Sequence, residues 1–218
     1  MFLTRLEINP RRVETMRLLS SAEVAHASIM AGFPAFGRDQ GRVLWRIDNI
    51  GYSTYILIQS DLSPDLTHMV QQFGWPESDQ RWDTVDYDGF LDSIESGELR
   101  KFRLTANPVR SVPSGKPGVR GKVCHHITAE QQMSWLIKQS SNSGFSVDPT
   151  KDDRCSATIT SRKLDKFKRG DRTVTLSKVT FEGVLRVEDP QIIRDSIRNG
   201  IGRGKAYGCG MLSLSGKL

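Results

Sequence analysis

The densest group of chemically useful residues is a glycine-rich segment near the end of the chain, Gly200–Gly210. Five glycines in eleven positions let the backbone approach a phosphate closely, and Arg203 and Lys205 add positive charge. The segment is not a P-loop, because Asn199 and Ala206 stand where that motif needs glycine and a hydroxyl residue. A nucleic-acid backbone is therefore its predicted ligand, and a tight turn with solvent-facing charges is the alternative. The predicted contacts are Gly202, Arg203, Gly204 and Lys205.

Two further stretches concentrate positive charge. The run from Arg162 to Arg172 is dominated by lysine and arginine, a composition typical of phosphate binding, although such a run is otherwise a solvated hairpin. A second group of cations surrounds a Pro- and Gly-rich loop at 113–118. We predict that both stretches are loops that bind RNA through Arg103, Arg110, Lys116, Arg120, Arg162, Lys163, Lys166, Lys168 and Arg169.

Residues that could hold a metal are few. Cys124, His125 and His126 are adjacent in an extended segment, so their side chains point to opposite faces, and we predict neither a metal site nor a cofactor. Of the four histidines only His26 lies on a well-formed predicted helix, inside its apolar arc, which by itself favours a core histidine. The acidic run Asp79, Asp83, Asp86 and Asp88 favours a solvated loop, with a two-metal site as the alternative.

The pattern of apolar and polar residues in the first 92 positions predicts the element order strand, helix, two strands, helix and strand. Hydrophobic periodicity and turn residues place these boundaries. The predicted elements are a strand at 2–8, one continuous helix at 13–30, strands at 43–47 and 52–58, a short helix at 62–73 and a strand at 82–87.

The second half repeats this order with longer loops. The predicted elements are a strand at 99–109, a helix at 128–139 capped by Thr128, a long strand at 173–187, a helix after Pro190 at 191–199 and a strand at 211–214. We therefore predict an α+β fold of two tandem ferredoxin-like (βαββαβ) domains, at 1–92 and 97–218. Sheets of this kind often carry RNA.

Charge is divided unequally between these halves. The 218 residues carry a net charge of +6, yet residues 1–95 hold 8 basic and 14 acidic side chains, so the cationic potential lies in the second half.

The chain contains no uncharged apolar run of membrane-spanning length, and its three cysteines form no CxxC pair. We expect a soluble, cytoplasmic protein without a membrane partner.

Four segments resemble the CasE family of CRISPR repeat-RNA endoribonucleases. They are the tail GIGRGKAYGCGMLSL, the FEGVL strand at 181–185, the FRLTANPVRS strand at 102–111, and His26 with Phe33-Pro34 seven residues later. The resemblance implies two ferredoxin-like domains and binding of the hairpin in a CRISPR repeat transcript. It further implies metal-independent cleavage at the 3′ base of that hairpin and retention with the other Cascade subunits.

The same resemblance makes His26 the catalytic residue. Family members often carry tyrosine one helical turn before this histidine, whereas this chain has Glu23. In metal-free RNA cleavage the 2′-OH attacks the adjacent phosphorus, so a protein needs only geometry, proton transfer and cations. His26 suits the proton transfer, Glu23 could orient it, and Lys122 or Lys205 could stabilise charge. The rival hypotheses are a non-catalytic RNA-binding subunit and a metal-dependent phosphodiesterase built on the acidic run.

Overall fold

The structure is a computed structural model that describes residues 1–33, 41–75, 82–115, 118–119 and 121–218. Its elements in chain order are β1 (Phe2–Ile8), α1 (Val13–Ser20), α2 (Ala22–Met30), β2 (Leu44–Ile50), β3 (Ser53–Ser60), α3 (Thr67–Phe73), β4 (Asp83–Asp86), α4 (Asp88–Asp92), β5 (Leu99–Ala106), β6 (Val109–Val112), β7 (Lys122–His125), α5 (Ala129–Asn142), β8 (Phe145–Ser146), β9 (Ser156–Arg169), β10 (Arg172–Val187), α6 (Pro190–Asn199) and β11 (Leu212–Lys217). None of the helices within these ranges is long and apolar enough to cross a membrane.

The first half forms an antiparallel sheet in the order β2-β3-β1-β4. The central pair runs from Phe2 opposite Ser60 to Ile8 opposite Thr54. Alternate β1 side chains, among them Leu6, lie fully buried in a core shared with the first helices, because successive residues of a strand point to opposite faces. This strand order, with helices between β1 and β2 and between β3 and β4, is the ferredoxin-like arrangement.

The second half builds the same arrangement on a larger scale. Its sheet runs β11-β5-β10, and both β8 and β9 pair with β10. One face carries Leu104, Val179 and Phe181 into a core with Trp135 of α5 and Ile193 of α6. The predicted α+β fold of two tandem ferredoxin-like domains is therefore confirmed, while the predicted boundaries of 1–92 and 97–218 remain a prediction.

The prediction of one continuous helix over 13–30 is wrong, because the helix is interrupted at Ser21. The backbone of Ser21 is extended (φ −133°, ψ 109°), and its Oγ accepts a hydrogen bond from the Val24 amide at 3.4 Å. Serine is among the preferred N-cap residues, so Ser21 ends α1 and starts α2. The helical wheel that assigned His26 to a single apolar arc therefore spanned two helices.

Several other boundaries were predicted correctly. Thr128 caps α5 through a 3.2 Å bond from the Gln131 amide, and α6 begins at Pro190 behind an Asp189 cap. The predicted start of the helix at 62–73 is wrong, since α3 starts only at Thr67, whose amide donates to the Asp65 carboxylate at 2.9 Å. Helix α4 and the β6–β7 hairpin were not predicted.

The basic stretch after Arg162 was predicted to be a loop and is instead mostly strand. It forms the end of β9, pairs with β10 as far as Arg169 opposite Arg172, and turns at Gly170, whose φ is +57°. Charged residues on both faces of β9 obscured the two-residue alternation that identifies a half-buried strand. Only Phe167, on the inner face, is an apolar residue buried there.

The two halves are joined by a buried ion pair that projects from β2. Arg46 and Asp48 share one face of the strand, are 5% and 7% exposed, and make two bonds of 2.8 Å. Arg46 also donates to the carbonyls of Arg103 at 3.3 Å and Met211 at 3.1 Å, and to Ser213 Oγ at 3.1 Å. An edge strand of the first sheet is thus tied to β5 and β11 of the second.

Arg46→Met should lower the free energy of unfolding by about 3–5 kcal/mol, because it leaves the buried Asp48 carboxylate short of its main partner at nearly constant side-chain volume. The control is Arg5→Met, which breaks the half-exposed Arg5–Asp83 pair (2.7 Å) and should cost about 1 kcal/mol or less. Urea unfolding monitored by circular dichroism measures both losses. Equal losses for the two variants would contradict the importance assigned to the buried pair.

Candidate functional site

His26 lies where α2 meets the second half of the chain. Ala22, Ala25 and Ile29 bury one face of the helix, whereas His26 and Glu23 are only half-buried. The apolar arc favoured a core position for His26, whereas the residue as a whole is half-buried, with its Nδ1 atom on the buried side. Its ring meets the ring of Tyr207 edge-on, with centroids 6.1 Å apart and planes at 67°.

Tyr207 belongs to the glycine-rich segment, whose backbone is shaped by left-handed glycines. Gly204 (φ 86°) and Gly208 (φ 77°) flank a single 3-10 turn over Lys205–Tyr207. A Cβ on Gly208 would lie 2.9 Å from the Trp45 ring, and Trp45 Nε1 donates to the Ala206 carbonyl at 3.1 Å. These glycines therefore serve a tight turn packed against β2, which holds the loop beside His26.

The two cations of this loop have different surroundings. Arg203 is exposed and donates to Ser111 Oγ at 3.2 Å, which ties the loop to the β6–β7 hairpin. Lys205 is half-buried, and burial, together with the nearby charge of Arg42, lowers the pKa of its ammonium group. A phosphate placed beside Lys205 would raise that pKa again, because a nearby opposite charge favours the ammonium form.

The outer face of β9 carries what we call the basic stripe, Arg162, Lys166 and Lys168. All three are exposed and recur at even spacing, which places them on one side of the strand. Arg162 also donates to the Ile127 carbonyl, next to the start of α5. The side chain of Arg169 lies outside what the structure describes.

Lys163 and Arg103 were predicted with this set but lie elsewhere. Lys163 has the opposite parity on β9 from the stripe and, although exposed, pairs with Asp165 at 3.0 Å. Arg103 pairs with Asp48 at 3.2 Å and Glu182 at 2.7 Å, so two carboxylates balance its charge. We therefore leave both residues out of the proposed RNA-binding surface.

The β6–β7 hairpin brings a second pair of exposed cations, Arg110 and Lys122. Its base is held by the buried Asn107, whose Oδ1 accepts from the Ser177 amide and lies 3.2 Å from His125 Nδ1. Lys116 and Arg120 lie outside the described residues. The hairpin is therefore joined to β10 and to the glycine-rich loop, although it pairs with neither sheet.

A crevice of about 290 Å³ opens between the halves, against the face of α2 that carries Ala22 and Ala25. Helix α2 contributes Ala22 and Ala25, and β10 contributes Lys178, which pairs with Asp165 at 2.8 Å and lies 5.8 Å from the Trp45 ring.

The sequence did not predict that Lys178, Tyr207 and Asn107 belong to this site. Only Tyr207, inside the glycine-rich segment, had a local pattern that could have drawn attention to it.

The predicted acidic run is dispersed in the structure. Asp83 pairs with Arg5, and Asp88 pairs with Arg198 at 2.5 Å, while Asp79 lies outside the described residues. Within the described part of the chain, no group of three or more histidine, cysteine, aspartate or glutamate side chains is arranged to hold a metal ion.

Comparison with known proteins identifies related sequences over the whole chain. A family model described as CRISPR associated protein matches residues 1–215. The CRISPR-associated endoribonuclease Cse3 of Thermus thermophilus is 25% identical over 224 residues, covering 99% of this chain and 100% of that protein. The CRISPR system Cascade subunit CasE of Escherichia coli is 28% identical over 128 residues, covering 56% of this chain and 60% of that one.

Solved structures show the same fold. Thermus thermophilus Cse3 bound to an RNA representing a pre-cleavage complex gives a TM-score of 0.79 at 24% identity, over 98% of both chains. Cas6e from Escherichia coli gives 0.65 at 23% identity, over 99% of both chains. The resemblance to the CasE family is thereby confirmed, and the chain belongs to the family of CRISPR-associated proteins.

Proposed function

We propose that this protein is a metal-independent endoribonuclease that binds the stem-loop of CRISPR repeat RNA. In this proposal it cleaves at the 3′ base of the stem and remains with the product and the other subunits of a Cascade complex. The observation that carries the proposal is the meeting of His26 with the cationic glycine-rich loop at the junction of the two halves. Relatives named as an endoribonuclease and as a Cascade subunit support it.

RNA binding follows from the distribution of exposed charge. The basic stripe, the hairpin cations Arg110 and Lys122, and Arg203 all belong to the second half, and Arg203 physically links the loop to the hairpin. Double-stranded RNA is recognised mainly through its phosphates and its shape, which such a surface suits. The first half brings His26 to the edge of this surface on α2.

Cleavage then requires one proton transfer on each side of the phosphorus. The 2′-oxygen forms a bond to phosphorus as it loses its proton, and the bond to the 5′-oxygen breaks as that oxygen gains one. His26 is assigned one of these transfers. Glu23, one helical turn earlier, is proposed to orient the imidazole, and Lys205 or Lys122 to offset the developing negative charge.

His26→Ala should lower the single-turnover cleavage rate of cognate repeat RNA by about 10²–10⁴-fold, because it removes the group that transfers a proton. The dissociation constant of the uncleaved RNA should stay within about threefold of wild type, because His26 adds nothing to the phosphate-binding surface. Gel-based cleavage and filter binding measure the two quantities.

The matched control is His68→Gln, which alters a histidine of α3 whose Nε2 lies 2.8 Å from the Ser28 carbonyl and replaces it with a side chain that can still donate to that carbonyl. It should leave the cleavage rate nearly unchanged. Undiminished cleavage by His26→Ala would overturn the catalytic assignment. A wild-type protein that binds the RNA tightly without cutting it would instead favour a non-catalytic RNA-binding subunit.

Reversing the stripe with Lys166→Glu and Lys168→Glu together should weaken RNA binding and flatten its dependence on salt. Each lost phosphate contact should reduce the slope of log Kd against log salt concentration by about one. Titrations at four salt concentrations provide the slope.

A double variant of two exposed lysines outside the proposed surface, Lys138→Glu with Lys151→Glu, makes the same change in net charge. It should shift the affinity but leave the slope nearly unchanged. Identical slopes for wild type and the stripe variant would mean that the stripe is only a solvated face of the hairpin.

A further inference from the structure

Two aromatic rings, those of Phe167 and Tyr207, connect the basic stripe to His26. Phe167 lies between Lys166 and Lys168 in the chain but points inward, where it is 8% exposed. Its ring centroid is 4.8 Å from that of Tyr207, with the planes tilted by 56°. The Tyr207 ring in turn meets the His26 imidazole edge-on at 6.1 Å.

The backbone on both sides of Tyr207 is fixed, and Phe167 packs against its ring. Its own amide closes the 3-10 turn with a 2.9 Å bond to the Gly204 carbonyl. The preceding carbonyl, of Ala206, accepts from Trp45, and the following residue, Gly208, packs against the same indole. With Phe167 against its ring, Tyr207 is a fixed, half-buried surface against which the imidazole can rest.

We propose that Tyr207 is a positioning residue that sets the orientation of the His26 imidazole. This inference rests on the proposed function, because it assigns His26 a proton transfer. The backbone turn that presents Tyr207 also carries Arg203 and Lys205. One loop therefore contacts the RNA and positions the side chain that acts on it.

The physical basis is the need for geometry in the reaction. A histidine has two side-chain torsions, and edge-on contact with a fixed aromatic ring restricts both of them. Misplacing a reacting group by about 1 Å can cost about 10²-fold in rate. The contact is made by the ring, so the Tyr207 hydroxyl should be dispensable and an aromatic replacement should suffice.

The kinetic test compares Tyr207→Leu with Tyr207→Phe in the full-length protein on cognate repeat RNA. Tyr207→Leu should lower the single-turnover rate at saturating protein by about 10–100-fold, because the imidazole loses its orientation. The dissociation constant should remain within about threefold, so the loss falls on the rate of the chemical step and not on affinity. Tyr207→Phe should restore the rate to within about twofold of wild type.

The matched control is Tyr52→Leu, which removes a fully exposed tyrosine from the far end of the β2–β3 hairpin. It should change neither the rate nor the affinity. A Tyr207→Leu rate equal to wild type, or a Tyr207→Phe rate as low as that of Tyr207→Leu, would overturn the inference.

A second measurement does not depend on the leucine variant folding. In the wild-type protein and in Tyr207→Phe, NMR should show nuclear Overhauser contacts between the ring protons of residues 26 and 207, and their absence would overturn the inference. Failure of the proposed function is distinguishable, because it would appear as full activity of His26→Ala. Failure of this inference alone would leave His26→Ala inactive and Tyr207→Leu active.

Discussion

The buried Arg46–Asp48 pair is the constraint on which the rest of this architecture depends. Its guanidinium bridges from the edge strand of the first sheet to backbone carbonyls at Arg103 and Met211 in the second. Burying two charges is costly unless their hydrogen bonds are satisfied, and here an incorrectly docked second half would leave them unsatisfied. On the same face of the first sheet, Gln59 donates to the Ile197 carbonyl of α6. These directional bonds favour one docking arrangement over the alternatives that apolar packing alone would allow.

That docking explains why residues far apart in the chain lie close together. With β2 fixed against β5, the neighbouring Trp45 supports the glycine-rich turn, and Phe167 and Leu176 from the β9–β10 hairpin enter the core of the first half. Helix α2 therefore faces the loop and the hairpin that carry the cations. Under the proposed function the unequal charges of the two halves have a physical reason, since the acidic half would supply the histidine and the basic half the surface for a polyanion.

The fold could be predicted well from the sequence, because local hydrophobic periodicity and turn residues indicate the order of strands and helices in both βαββαβ halves. The site could be predicted less completely. The Ser21 break lay inside an apolar pattern that suited one helix, and β9 was hidden by lysines on both of its faces. The pairing of Arg103 with Asp48 and the contact of Tyr207 with His26 join residues at least 55 positions apart, and no local pattern encodes such contacts. The assignment of His26 came from family resemblance rather than from its helical position.

A metal-free attack by the 2′-OH, which His26 is proposed to serve, would be visible in the chemical ends of the product. Cognate repeat RNA would be incubated with the protein in excess EDTA, and both fragments analysed by mass spectrometry. We expect undiminished cleavage, with a 2′,3′-cyclic phosphate on the upstream fragment and a 5′-OH on the downstream one. Loss of cleavage in EDTA that Mg²⁺ restores, with 3′-OH and 5′-phosphate ends, would contradict this expectation.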